Sequence, residues 1–273
     1  MKKIVLIFLF FQSFYGVGQS VRIPVSSIYT RLSAYSISSI DAFSFVSNQA
    51  ALANMHDFTV GVFGERRFML QDLALYQMAL AVPIKWGQFG VTGNYFGGID
   101  NKETSIGLAY GRKLTDNLDV GAQFNYYTFQ INGYGSASSI NFEAGFLFHI
   151  TPQFHFGIHT YNPTGSNLGK DGTEKLPAIY TAGIGYETSD KFLISGEIQK
   201  QENEPINVNA GLQYSFKKQL FARVGMNSSA STYYLGVGVL LKSFRLDVTA
   251  SVHPQLGISP GLMLIYKGVE KQE

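Results

Sequence analysis

The chain has 273 residues, no cysteine, and a formal net charge of +2 from 21 Lys and Arg against 19 Asp and Glu. Without thiols there is no disulfide framework and no thiolate metal site; without a basic run there is no footprint for nucleic acid. Charged residues make up 15% while Tyr (16), Phe (22) and Gly (29) are abundant, and an ordinary soluble domain carries nearer ~25% charge.

The first segment has the layout of a secretory signal peptide. Lys2 and Lys3 precede an apolar run from Ile4 to Phe14, and Gly16 and Gly18 lead to Gln19. That run is shorter than the roughly 20 residues of a spanning helix, and no cysteine follows it for a lipid anchor. Cleavage before Gln19 removes residues 1–18. Residues 19–56 lack clean alternation: 33–41 are Ser-rich, and 43–55 mix Phe, Ala, Leu and Asn. They are expected to form a short helical hatch inside a barrel, with a periplasmic arm as the alternative.

From Asp57 to Lys267 the pattern has period two, the mark of strands. In 244–252, Phe244, Leu246, Val248, Ala250 and Val252 share one face and Arg245, Asp247, Thr249 and Ser251 the other. Segments 206–216 and 118–126 repeat it. About fourteen such segments, many of the roughly 9–11 residues a tilted strand needs to cross a bilayer, point to an all-β transmembrane antiparallel barrel. The expected spans are 57–65, 73–84, 88–97, 104–114, 118–131, 139–151, 153–161, 177–187, 191–200, 206–216, 219–227, 231–241, 244–253 and 258–267. Links after even-numbered segments are tight, as at Lys85-Trp86-Gly87, Thr115-Asp116-Asn117, Thr151-Pro152 and Lys242-Ser243. Links after odd-numbered ones are longer, as at 97–103, 132–138 and 162–176. Short periplasmic turns alternating with longer outer loops is a barrel's layout, which a sandwich has no reason to adopt. Tyr126, Tyr127, Phe129, Tyr233 and Tyr234 sit near segment ends, as girdle aromatics do. Residues 268–273 form a polar tail.

No nucleophile elbow, Walker A sequence or dinucleotide fingerprint is present, so no catalytic or cofactor-binding residue is assigned. A hydrolase on the barrel scaffold finds no Ser/His/acid set. Gly183/Gly185 and Gly236/Gly238 fall on one strand face and read as packing room for lumen contents. His149, His155 and His159 share the lumen face; no nearby carboxylate or cysteine completes a ligand set, so they are read as polar filling and no metal is expected. The same face collects Asp119, Glu143, Glu187, Glu197, Arg223, Arg245 and Asp247. A charge on the lipid face costs roughly 2–4 kcal/mol near the midplane, so these point inward, where mixed signs favour pairing that holds the hatch; the alternative is that they line a narrow polar path. Arg66 and Arg67 fall in the first outer loop, as solvated residues or as contacts for lipopolysaccharide or a partner.

Asn48-Gln49-Ala50-Ala51-Leu52-Ala53 echoes an Asn-Pro-Ala-Gly-Leu box, and Gly157 to Pro163 followed by Leu176-Pro177 completes a pattern that resembles the FadL superfamily of outer-membrane transporters. In particular the chain is similar to the PorV/PorQ-type branch of Bacteroidota, associated with type IX secretion. Gln49 and Ala51 depart from the box, and the outer loops are pared down. The resemblance implies a non-enzymatic outer-membrane barrel working as an adaptor or occluding subunit of a larger translocon, among outer-membrane lipids and lipopolysaccharide. The parent superfamily implies the alternative, a transporter of hydrophobic small molecules, with Phe43, Phe45, Val46, Asn48 and Leu52 of the hatch as ligand candidates.

Overall fold

Every backbone amide that enters a bilayer needs an internal partner, and strands satisfy this only by closing on themselves. The computed structural model describes residues 28–169, 174–202, 204–216, 219–229 and 231–268. The expected signal peptide, residues 19–27 of the expected hatch and residues 269–273 of the tail lie outside the described residues. The barrel strands are β1 (Thr59–Arg66), β2 (Ala74–Ile84), β3 (Gly87–Gly97), β4 (Asn101–Thr115), β5 (Leu118–Ile131), β6 (Gly135–His149) and β7 (Phe154–Tyr161). A two-stranded excursion follows, β8 (Asn167–Leu168) with β9 (Glu174–Lys175). The circuit resumes with β10 (Ile179–Ser189), β11 (Phe192–Gln201), β12 (Asn207–Phe216), β13 (Leu220–Asn227), β14 (Thr232–Leu241), β15 (Phe244–His253) and β16 (Gly257–Lys267). These fourteen barrel strands pair in antiparallel sequence order, β7 with β10 across the excursion and β1 with β16, so no edge is left. Each expected segment overlaps one of them.

The side-chain alternation sets which face is which. On β10, Thr181, Gly183, Gly185 and Glu187 are buried in the lumen, while Tyr180, Ile184 and Tyr186 are exposed on the outside. Val62, Phe124, Val237 and Leu262 are likewise exposed outward. In water this would be an apolar surface well beyond the few hundred Å² a soluble monomer tolerates; in a bilayer it is the lipid face. Among the described residues no helix is long and apolar enough to cross a membrane, and the strands do the crossing.

Two expected outer loops shrink. Strands β3 and β4 run to within three residues of each other (98–100), as do β5 and β6 (132–134). The strands β4, β5 and β6, of 15, 14 and 15 residues, therefore rise as a tall wall. Above the bilayer both faces of a strand meet water, so Lys102 to Thr104 and Gly135 to Ser138 lack the apolar alternation that marks a strand in sequence. The outer part of β6 outruns β7, whose pairing reaches only Glu143. Residues 162–169 cover that edge: Asn162 N–H donates to Phe142 O (2.9 Å) and Gly169 N–H to Ser138 O (3.0 Å). Leu168 and Leu176 pack on Tyr127, Phe129 and Ala137, which strap this side of the outer mouth.

The girdle expectation divides by strand parity. Tyr126 and Tyr233 face outward, but Tyr127 and Tyr234 are buried in the lumen, Tyr234 edge-on to Tyr29 at 6.1 Å.

Candidate functional site

Residues 28–56 form the hatch, seated in the half of the lumen nearer the short turns. It consists of helical turns at Ile28–Arg31, Leu32–Tyr35, Ser44–Ser47 and Gln49–Asn54. Segments of four to six residues do not hold a helix on their own; the barrel wall must hold them. Two devices do so. The first is space. A Cβ at Gly121 on β5 would run into the backbone of Gln49, and one at Gly185 on β10 into the carbonyl of Tyr35. Glycine there lets the hatch backbone lie directly against the wall, the packing room expected of Gly183 and Gly185. Asn48 caps the last turn by accepting from Ala50 N–H (3.1 Å), while its amide donates to Phe146 O on β6 (3.2 Å).

The second device is polar. The structure places all seven of the lumen charges read from the sequence against the hatch. Asp119 accepts from Asn54 Nδ2 (2.6 Å), Glu143 from Gln49 Nε2 (2.8 Å), and Glu187 from Ser36 Oγ and the Ser38 amide (3.0 Å). Glu197 receives Arg31 and the Tyr35 hydroxyl, both at 3.0 Å. Arg223 and Arg245 converge on Asp41 at 3.0 and 3.1 Å, and Asp247 takes the Tyr29 hydroxyl at 2.9 Å and Arg245 at 2.6 Å. Burial alone would raise the Asp41 carboxyl; Arg223 and Arg245 outweigh it and hold it below its ordinary value. Burial, then the adjacent Glu197, pushes the Tyr35 phenol well above its usual range, so it remains a donor. Asp41, Arg31, Tyr29 and Tyr35, the hatch's half of this network, carried no periodic signal in the sequence.

The hatch residues read as ligand candidates have other work. Phe43, Phe45 and Leu52 are fully buried in one apolar cluster with wall residues Phe63, Leu75 and Met263, with Phe43 edge-on to Phe63 at 6.5 Å. Asn48 is a cap. Of the five, only Val46 lines a chamber. The expected pocket wall is therefore mostly packing, because burying those rings against the barrel is what seats so short a segment.

Two chambers flank the hatch. The outer one, about 50 Å³, is lined by Val46, Phe96, Gln123, Tyr127, Glu143 and His159 among others. That is room for a few waters at roughly 10–15 Å³ each. Around it the side chains of Gln77, Asn94 and Ser105 form one hydrogen-bonded run, and Asn125 and Asn141 a second. The inner chamber, about 230 Å³, is lined by Ile40, Asp41, Met55, Phe221, Arg245 and Ile265.

The sequence reads the three histidines as polar filling with no carboxylate completing a ligand set; in the structure each meets a single carboxylate. His149 Nε2 lies 2.7 Å from Asp119 Oδ2, His155 Nε2 3.2 Å from Glu187 Oε2, and His159 Nε2 2.8 Å from Glu143 Oε2. The carboxylates come from neighbouring strands, where sequence distance says nothing about proximity. Among the described residues no group of three or more His, Asp or Glu is arranged to hold a metal ion.

No family model matches the chain, and no curated protein matches it. Among solved structures it is similar to the CymD monoaromatic hydrocarbon channel, at 14% identity over 84% of this chain and 93% of that one, with a TM-score of 0.61. It is also similar to the Ralstonia pickettii toluene transporter TbuX (14%, 84% and 93%, TM-score 0.58) and a Pseudomonas aeruginosa FadL homologue (14%, 83% and 93%, TM-score 0.54). At these identities the likeness is one of fold: the chain has a FadL-like barrel.

Proposed function

We propose that the protein is a non-enzymatic outer-membrane channel that admits small hydrophobic molecules, with the hatch as its gate. The observation that carries this is the placement of residues 28–56 between an outer and an inner chamber, in a fold shared with the CymD monoaromatic hydrocarbon channel and the toluene transporter TbuX. Phe96, Tyr127, Tyr161 and Val46 give the outer chamber apolar surface. At about 50 Å³, however, it is far smaller than the roughly 300–1,000 Å³ of a small-molecule site, so passage requires the hatch to shift. The test uses the absence of cysteine. A Cβ at Gly61 would stand 2.9 Å from the Ala42 Cβ and 2.7 Å from the Phe43 ring, so a shift of that ring by about an ångström brings the pair to the roughly 3.5–4.5 Å of a disulfide. In proteoliposomes, Ala42→Cys with Gly61→Cys should pass toluene when reduced and stop when oxidised. Equal permeation in both states, or none in the wild type, would overturn the reading.

A second reading is favoured by the same small chamber and by the number of hatch anchors: a plugged barrel serving as a subunit of a secretion complex of the type IX kind, as the PorV/PorQ resemblance implies. The tips of the tall wall offer partner contacts, Ile99 and Tyr134 being 87% and 90% exposed. Arg66 and Lys102 border an outer groove with Tyr76 and Tyr95, suited to the phosphates of lipopolysaccharide. Gentle-detergent isolation from native membranes decides: a co-purifying translocon supports this reading, and a lone barrel carrying lipid supports the channel.

A further inference from the structure

One cluster is not explained by packing alone. Across β5, β6, β7 and β10 runs a continuous chain: Asp119 Oδ2 to His149 Nε2 (2.7 Å), His149 Nδ1 to His155 Nδ1 (3.0 Å), His155 Nε2 to Glu187 Oε2 (3.2 Å). Both ends grip the hatch. Asp119 also holds Asn54, at the end of the last helical turn, and Glu187 holds Ser36 and the amides of Ile37 and Ser38. Asp119 and His155 are wholly buried; His149, beside the short turn 150–153, is nearly so.

The chain can be counted in protons. A carboxylate only accepts, so each Nε2 must carry a hydrogen. The Nδ1···Nδ1 contact then needs one hydrogen between the two rings. Three protons on two imidazoles close every contact, which makes one ring an imidazolium. A fourth proton sets two N–H groups against each other at 3.0 Å. Loss of the third leaves two lone pairs facing. Either change breaks the middle link.

We infer that His149 and His155 form a proton-operated latch on the hatch, closed in its three-proton state and loosened by gain or loss of one proton. The surroundings leave the count to these four groups. Lys113 on β4, opposite Asp119 in the ladder, is exposed at the rim. The next titratable pair outward, His159 with Glu143, is closed on itself and Gln49. The hatch presents Ser36, the backbone at 37 and 38, and Asn54, none of which titrates; its His56, two positions past Asn54, is exposed and makes no hydrogen bond to the four groups. Arg223 and Arg245 are committed to Asp41 and Asp247. The latch requires the seated hatch, not any particular solute, so it stands or falls separately from the transport reading.

The test uses the full chain in lipid bilayers, with nitrogen-15 histidine, titrated across the range of about pH 5 to 8 in which imidazoles change charge. The resonances of His149 and His155 should report both Nε2 atoms protonated and one shared Nδ1 proton inside a window. Exchange protection of the Ile37 and Ser38 amides, corrected for intrinsic rates, should peak in that window and fall by up to about tenfold per pH unit outside it. In H149Q/H155Q each glutamine amide still serves its carboxylate, and protection should become flat with pH; His253→Gln, at the opposite rim, should keep the wild-type profile. Flat protection in the wild type, two protons on the pair throughout, or a chelator-removable metal between the rings would overturn the latch. The nitrogen shifts decide the matter in the wild type even if the double variant fails to fold.

Discussion

The two halves of the lumen are built from similar strands and differ in what they face. In the inner half, glycines and paired charges press against the hatch, with a chamber of about 230 Å³ left beside it. In the outer half the same strand positions carry amides and hydroxyls, such as Gln77, Asn94 and Asn125, around a small wet chamber. The contrast teaches that polar lumen residues are not one class. Below, each bond fastens a separate segment to the wall; above, the side chains mostly satisfy one another.

Changes below should therefore release the hatch, and changes above should not. Asp41→Ala comes first. It leaves Arg223, with a side chain 0% exposed, and Arg245 without a shared carboxylate, and removing one partner of a buried pair costs roughly 3–5 kcal/mol. Limited proteolysis should then cut within 28–56 while the barrel stays intact. Gly185→Val follows. Its side chain meets the Tyr35 carbonyl, and forced overpacking costs roughly 1–3 kcal/mol; Gly196→Ala on β11, whose Cβ would meet only Asn209 O at 3.7 Å, should be neutral. Asn94→Ala, in the outer half, loses bonds to Gln77 and Ser105 worth about 0.5–1.5 kcal/mol each, and hatch exchange should not change.

Acidity separates the two sides of the hatch itself. Asp41 has its pKa lowered in the folded state, so its contribution is present above the unfolded carboxylate value near ~3.9 and is lost only as pH falls through the lower folded value. The amides around Phe43 and Ser44 should stay protected above that value, including wherever a change in the proton count of the histidine pair loosens Ile37 and Ser38. Simultaneous loosening of both sides would break that distinction.

Most of the barrel was legible because lipid enforces period two: Phe244 to Val252 has one buried and one exposed face because water lies on neither side in the same way. The signal fades where that constraint ends. Gly135 to Ser138 stand in the outer wall, where polar residues suit both faces, and so read as loop. The seven lumen charges were legible for the same reason, since a charge cannot face lipid. Their partners were not. Tyr29 and Tyr35 lie on four-residue turns and Asp41 on the link between two turns, none with a repeating face, and nothing local ties Asp41 to Arg223, 182 positions away. The ring–ring contact of His149 and His155 sits across a visible turn, but the carboxylates completing it come from β5 and β10.

Native-state hydrogen exchange over residues 28–56 in lipid bilayers, wild type beside Asp41→Asn, tests the central claim most directly. The account predicts slow exchange at Phe43, Ser44 and Ala50 in the wild type, and faster exchange there in the variant with the barrel strands unchanged. Hatch amides exchanging as fast as the outer loops in the wild type, or strands loosening together with the hatch in the variant, would contradict it.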